Sequence, residues 1–501
     1  MKNLATALLL LASTSAFSQI GLPDINFGVN GIASIDLGGR DDFYDLKVLP
    51  DGKILCLVKH QISGTSDNFP AVCRLNPDGS LDLSYGTNGV VILPGQVFLL
   101  DQYFQIDIDS ENRAIVALTV GDAISVYRLT TAGVLDTDFS FDGLVTVDFA
   151  LGDEPLADVE VQADDKIVVA ASSDEGFTAA RLNVDGAFDT SFGTNGKQSH
   201  GVQGMERAED MVIQPDGKVL VCGQTDNGFG NWVGIIRMNP DGSLDASFGD
   251  NGQKVKIISS NERAYAIELQ SDGKILVLGR TSLSTFDQDG FILRYNSDGS
   301  QDNSFDGDGL FPINVSGAAD WTTVGIVQPD DKIITGGFYD LNNPDLPIWV
   351  TRHNTDGSFD TDFSTDGSTT VSLSNLDLYV RALDFTPNGD LIVGASDSEP
   401  SDKDIRLVKL KTGLNISVDE LESVDVSVYP NPAVDVLNLK LDDSKGQSIQ
   451  IEVIDSRGSV VSTEMGNSTN HSFNVEELAS GLYTVRVFGE KQVGQTLFLK
   501  K

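Results

Sequence analysis

The chain has 501 residues, room for two or three domains, and 40% hydrophobic content, ordinary for a globular protein. Thirty-four Lys and Arg stand against 74 Asp and Glu, a formal net charge of -40. A field of that sign repels phosphate backbones and anionic lipid, which argues against nucleic acid and membrane surfaces as partners.

Residues 1–18 read as a signal peptide. Lys2 supplies a positive start, Leu4 to Ala12 is a short apolar run, and Ala16-Phe17-Ser18 places small residues for cleavage before Gln19. No other stretch approaches the roughly 18 apolar residues needed to span a bilayer, so the mature chain is expected to be exported without a transmembrane segment. Cys56, Cys73 and Cys222 are too few, and odd in number, for a disulfide scaffold. Each lies in a strand-like run and reads as a small core residue.

Internal repetition is the strongest signal from residue 22 onward. An aromatic residue is followed four positions later by glycine at Phe27/Gly31, Tyr85/Gly89, Phe139/Gly143, Phe192/Gly196, Phe248/Gly252, Phe305/Gly309 and Phe363/Gly367. An aspartate precedes each aromatic by three: Asp24, Asp82, Asp136, Asp189, Asp245, Asp302 and Asp360. Each unit reads as four short strands with Asp-Gly turns. The last unit, ending at Leu414, lacks the Asp-aromatic-Gly piece, and the N-terminus supplies it with the strand GIASIDL. The expected fold is therefore all-β: a seven-bladed propeller over 19–414, closed by strands from both ends, which leaves no exposed sheet edge. An open β-solenoid of seven units is the alternative. The runs FGTNGVV, LQSDGKILVLG and RLNPDGSLDLSYG resemble the delta-sixty repeat of secreted bacterial proteins, a likeness that speaks to the repeat and not to any activity. Ser110-Glu111-Asn112 and Thr131-Ala132-Gly133 depart from it at the turns of the second unit.

A polar linker, 415–424, precedes a change of pattern. VSVYPNPAVDVLNLKL, IQIEVIDSRGSVV, FNVEELASGLYTVRVF and a terminal LFLKK read as strands of a small immunoglobulin-like sandwich over 425–501. Tyr429, Pro430, Asn431 and Pro432, the Gly481-Leu482-Tyr483 turn and the basic last strand resemble the type A sorting domain of the type IX secretion system. That resemblance implies a Bacteroidetes source, passage across the outer membrane by the secretion machinery, and removal of the domain by a sortase-like peptidase at the surface. An ordinary immunoglobulin-like appendage is the alternative.

A basic residue recurs on the third strand of each unit (Arg74, Arg128, Arg181, Arg237, Arg294, Arg352 and Lys409), so the repeated aspartates read as structural partners of these cations. The N-x-D-G-x-x-D spacing, as at Asn76, Asp78 and Asp82, offers oxygens that suit calcium. It is also a plain Asx turn without a closing bidentate Glu, so no cofactor is expected and calcium stays an open second reading. Four histidines without metal spacing, and no nucleophile elbow or phosphate loop, point away from an enzyme. The second-to-third and fourth-to-first strand loops vary while the other turns are uniform. Function tends to sit on such loops. Trp232, Trp321, Trp349, Phe229, Tyr339, Tyr103, His60 and His200 fall in or beside them and are candidate ligand-binding residues for a glycan or protein partner. Packing between blades is the competing role for these rings. The expectation is a secreted or surface-held binding or adhesion protein. A polysaccharide-acting propeller enzyme and a purely structural surface protein are the alternatives.

Overall fold

The computed structural model describes residues 20–97, 103–150, 155–202, 205–226, 230–259, 261–284, 287–315, 320–339, 347–372, 378–397, 403–414, 422–423, 426–441, 449–454, 460–466, 470–476, 478–489 and 492–501. The expected signal peptide lies outside them. The chain divides into two compact units, Met1–Leu414 and Asn415–Lys501.

The first unit opens with β1 (Ile32–Ile35) and continues as repeated four-stranded antiparallel sheets, each laid down in chain order. The first comprises β2 (Gly39–Val48), β3 (Ile54–Ile62), β4 (Asn68–Leu75) and β5 (Val90–Ile92). Next come β6 (Phe104–Ile108), β7 (Ala114–Val120), β8 (Ala123–Leu129) and β9 (Leu144–Val147), then β10 (Leu156–Val161), β11 (Ile167–Ser173), β12 (Gly176–Leu182) and β13 (Lys197–His200). The fourth has β14 (Met205–Ile213), β15 (Val219–Asp226), β16 (Asn231–Met238) and β17 (Gln253–Lys256). Then follow β18 (Arg263–Leu269), β19 (Ile275–Ser284), β20 (Asp287–Tyr295) and β21 (Leu310–Ile313), and β22 (Asp320–Val327), β23 (Ile333–Tyr339), β24 (Ile348–His353) and β25 (Ser368–Val371). These two sheets are joined by a single parallel bridge between Asp289 and Asp320. The last sheet has β26 (Leu378–Phe385), β27 (Leu391–Asp397) and β28 (Ile405–Leu410), and β1 pairs with β28 in register Ile32 to Val408 to complete it. The first strands touch in succession, β2 to β6, β10, β14, β18, β22 and β26, and β26 returns to β2.

The apolar core sits between neighbouring sheets. Ile115, Val126 and Phe139 pack with Val159, Val169 and Leu182, for example, all buried. Fully burying each such side chain contributes roughly 1.5–3 kcal/mol. Cys56 and Cys73 face each other across β3 and β4 as buried free thiols, and burial pushes the Cys56 thiol up.

The second unit has two sheets. One is β29 (Glu422–Ser423), β36 (Gln492–Lys500), β35 (Gly481–Gly489), β32 (Ile449–Ile454) and β33 (Val460–Gly466) in that order. The other is β30 (Val426–Tyr429), β31 (Val436–Leu441) and β34 (Asn470–Asn474). Leu437, Leu439 and Phe473 of the smaller sheet share a buried cluster with Ile451, Val485 and Phe498 of the larger. No helix among the described residues is long and apolar enough to cross a membrane.

The repeat glycine in the third-to-fourth strand turn is set against the previous sheet. At Gly299, with φ +81°, an added Cβ would lie 2.8 Å from the Phe248 ring, whereas at Gly307, φ +87°, it would meet nothing within 4 Å. Gly307→Ala is expected to cost about 1 kcal/mol, the left-handed backbone alone. Gly299→Ala adds a steric clash and is expected to lower the melting temperature at least twice as far. Equal shifts would show that this contact does not hold neighbouring sheets.

Candidate functional site

The repeated acid and base form the scaffold. Arg74 Nε donates to Asp82 Oδ2, and the same bond recurs at Arg128/Asp136, Arg181/Asp189, Arg237/Asp245, Arg294/Asp302 and Arg352/Asp360, at 2.6 to 2.9 Å. Each guanidinium also lies over the repeat aromatic of its own unit, 4.4 to 5.0 Å from the ring centre. Its Nη1 then reaches a carbonyl further along the chain, in the next sheet's turn or, at the end, Thr412: Thr131, Val184, Pro240, Ser297, Thr355 and Thr412 in order. In the last sheet Lys409 and Lys411 hold Asp24 instead, at 3.5 and 2.8 Å. The Ser84 hydroxyl and amide, with Lys53 and Arg74, keep the Asp82 carboxyl well below the usual carboxylate range against the opposing effect of burial.

The calcium-like spacing is likewise spent on turns. Asp78 Oδ1 accepts from the Ser80 amide at 2.9 Å and its hydroxyl at 2.6 Å, and Asp241 does the same with Ser243. Among the described residues no group of three or more His, Cys, Asp or Glu is placed to hold a metal ion.

The ring of first strands encloses a channel of about 260 Å³ lined by Asp45, Lys47, Asp107, Asp158, Glu160, Asp210, Glu268 and Asp384. Five of these carboxylates bridge to the backbone of the next first strand. Asp45 accepts from the Ile106 amide, Asp107 from Val161, Glu160 from Ile213, Asp210 from Ile267 and Asp384 from Val48, all at 2.7 to 2.8 Å and each bridging to the next first strand. Burial pushes Asp45 and Asp210 up to about 7 and Glu160 up to about 8, while the backbone bonds pull the other way. Lys47 loses from burial, but the Asp107 carboxylate 2.9 Å away and Asp384 more than offset this and hold it charged.

Where the variable fourth-to-first strand loops feed these strands, the channel opens into a cavity of about 500 Å³. The register shifts by one residue in β2, β10, β14, β18, β22 and β26. The extra residues (Tyr44, Ala157, Glu209, Tyr265, Thr323 and Arg381) all line this cavity, with Tyr103, Arg207, Arg263, Trp321, Phe338 and Tyr379. A bulge turns a side chain out of the strict in-out alternation of a strand, and here it aims one from each of these six strands into the mouth. Guanidinium groups lie over the rings: Arg207 on Tyr103 at 5.0 Å, Arg263 on Tyr265 at 4.8 Å, Arg280 on Trp321 at 3.9 Å and Arg381 on Tyr44 at 6.0 Å. Glu209 sits between Arg207 and Arg263, 2.9 and 2.6 Å away. Burial nevertheless keeps its carboxyl above the usual range.

Of the residues singled out from the sequence, Tyr103 and Trp321 meet in this cavity, both half-buried. Trp349 does not reach a loop face. It is fully buried with Phe305, Ile313 and Ile333, so its role is packing between sheets, a correction to the expectation of ligand contact. Trp232 is half-buried on β16, opposite Thr225, and does not line the mouth. His60 is bound to Asp41 at 2.6 Å and borders a different cavity, and His200 bonds the Gly242 carbonyl at 2.8 Å. Phe229 and the Tyr339 side chain lie outside the described residues. Arg207, Arg263, Arg381, Tyr44, Tyr265 and Tyr379 were not anticipated. For all but Tyr379 their signal is a polar or aromatic residue immediately before the acid or alanine of a first strand.

In the second unit Asn431 clamps the last strand, its Nδ2 donating to the Leu497 carbonyl at 3.1 Å and its Oδ1 accepting from the Leu499 amide at 2.9 Å. Pro430 and Pro432 flank it and Tyr429 is half-exposed. Gly481 and Leu482 pair with Lys500 and Leu499, and Tyr483 stacks on Phe498 while donating to the Ala479 carbonyl. The two sorting motifs are thus both fastened to the C-terminal strand.

A raised carboxyl pKa in the folded state means folding favours the protonated form. That stability is full below the unfolded value near 4 and is lost as pH rises through about 7 for Asp45 and Asp210 and about 8 for Glu160. Asp210→Asn keeps an oxygen for the Ile267 amide but cannot ionise. Its melting temperature is expected to fall less than that of the parent between pH 5 and 9, with the variant the more stable at pH 9. Parallel curves would contradict this.

Residues 427–500 match the secretion system C-terminal sorting domain. Residues 49–85, 162–192, 214–248 and 270–305 match the beta-propeller domain of unknown function DUF5122. No curated protein matches the chain. Among solved structures it is similar to a virginiamycin B lyase from Staphylococcus aureus, at 11% identity and TM-score 0.46 over 75% of this chain and 98% of that one. It is also similar to PorZ, a surface component of the type IX secretion system of Porphyromonas gingivalis, at 12% identity and TM-score 0.39 over 93% and 60%. A PL25 ulvan lyase gives 9% identity and TM-score 0.40 over 76% and 96%. Likenesses this distant concern fold and carry no activity across. The chain joins propeller-type repeats to a C-terminal sorting domain that directs export through the type IX secretion system to the cell surface or extracellular space.

Proposed function

We propose that the first unit is a closed seven-bladed propeller that acts, once exported, as a binding protein, taking a glycan or protein ligand at the channel mouth. The second unit is read as an immunoglobulin-like sandwich removed by a sortase-like peptidase after export. The observation that carries the binding reading is the mouth itself: a cavity of about 500 Å³ in which Tyr103, Tyr265 and Trp321 are half-buried among arginines. Cavities of this size with rings and a few polar groups suit small ligands or an anchoring side chain. Binding without catalysis fits the channel acids Asp45, Asp107, Glu160, Asp210 and Asp384, which are engaged by backbone amides, and the described His60, His200 and His353, which are bonded within the fold. Glu209 favours the polysaccharide-acting alternative, being an acid of raised pKa in the cavity. Turnover of a polysaccharide lost in Glu209→Gln would promote that reading.

Two experiments test the proposal. Trp321→Ala is expected to weaken binding of a glycan or protein found by screening roughly tenfold, about 1.4 kcal/mol, while Trp232→Ala leaves it unchanged; the reverse pattern would move the site elsewhere. Deleting residues 415–501 should leave the propeller inside the cell envelope on fractionation. Normal surface delivery would refute the sorting role.

A further inference from the structure

The described residues that line the mouth carry a charge opposite in sign to that of the protein. Over the whole chain acids outnumber bases 74 to 34, yet among the described residues lining the cavity the charged ones are Arg207, Arg263 and Arg381 against the carboxylate Glu209. Arg207 and Arg263 share that carboxylate, so one acid is set against two cations. Arg381 is exposed and makes no ion pair among the described residues. Arg280 adds a fourth guanidinium behind the Trp321 ring.

Stacking on rings holds the planar forks in place, which lowers the entropy lost when they bind. A guanidinium fork matches a carboxylate or sulfate with two parallel bonds. The Trp321 and Tyr265 rings beside them offer the flat faces that sugar rings cover. A long polyanion would meet the repulsion of the acidic exterior. A short one stays at the mouth, and the exterior charges that lie across solvent more than a screening length of about 8 Å away act on it little at physiological salt.

Resting on the binding reading above, we propose that the mouth binds a short acidic sugar, with Arg381 and the Arg207/Arg263 pair holding its carboxylate or sulfate and Trp321 and Tyr265 covering its rings. The test is calorimetric titration of the full chain at 0.15 M salt with trigalacturonate, sulfated maltotriose, maltotriose and triglutamate. Trigalacturonate, sulfated maltotriose or both are expected to bind at least tenfold more tightly than maltotriose, and which of the two does so tells carboxylate from sulfate. Arg381→Gln should cost at least tenfold without lowering the melting temperature, since that side chain is exposed and makes no ion pair among the described residues. Trp321→Ala should weaken the same titration. If maltotriose binds equally well, is indifferent to Arg381→Gln and is lost in Trp321→Ala, the acidic-sugar assignment falls and the binding reading stands. If triglutamate binds best, the site takes an acidic peptide and the assignment also falls. If no probe binds, the assignment is overturned, and a protein ligand found by screening would keep the broader reading alive.

Discussion

The repeated arginine of the third strand is the interaction on which the rest of the first unit depends. One guanidinium spends its donors on an aspartate of its own turn and on a carbonyl further along the chain, and its face on an aromatic ring. A charge-assisted bond to a carboxylate, nearly shut off from water, is among the stronger polar contacts a fold can make. Because the carbonyl lies beyond the arginine's own sheet, the bond fixes how one sheet meets its successor. Backbone bonds repeat the message: Gly86 donates to Ala132, Gly193 to Asp241, Gly249 to Asp298, and Ser364 donates to Ile20 at the closing junction.

That regular outer scaffold is what allows irregularity at the centre. The first strands bulge, the aspartates after several bulges accept the amides of the next strand, and the displaced residues turn toward the mouth. The channel acids thereby hold the ring together at some cost in desolvation, as the rise of their pKa values on burial records. Scaffold and candidate site are separated by layer. The periodic residues lock sheets together, and the non-periodic residues of the first strands line the mouth.

The scaffold was legible in the sequence for a physical reason: an Asp, an aromatic and a Gly at fixed offsets recur, and Arg or Lys recurs with them, so their mutual contact could be inferred. The sharing of sheet edges between β1 and β28 was legible as well, from complementary half-units. The mouth was only partly so. Tyr103 and Trp321 stood out because they lie beside variable loops, but Arg207, Tyr265 and Arg381 sit inside strands whose alternation gives no sign of a bulge. Trp349 misled because proximity to a loop in sequence says nothing of direction. It is the second residue of β24 but packs with Phe305 in the core. In the sorting domain the motif was plain, while the clamp of Asn431 on the last strand required the pairing to be seen.

The central claim, that a lock-built ring presents a ligand site at its bulged mouth, is tested most directly by tryptophan fluorescence. Trp321 alone of the three tryptophans lines the cavity, and Trp349 is sealed in the core. Titration of trigalacturonate into the full chain should change the emission, and Trp321→Phe should abolish the change while Trp232→Phe preserves it. A change that survives in Trp321→Phe and disappears in Trp232→Phe would place the ligand away from the mouth and contradict the account.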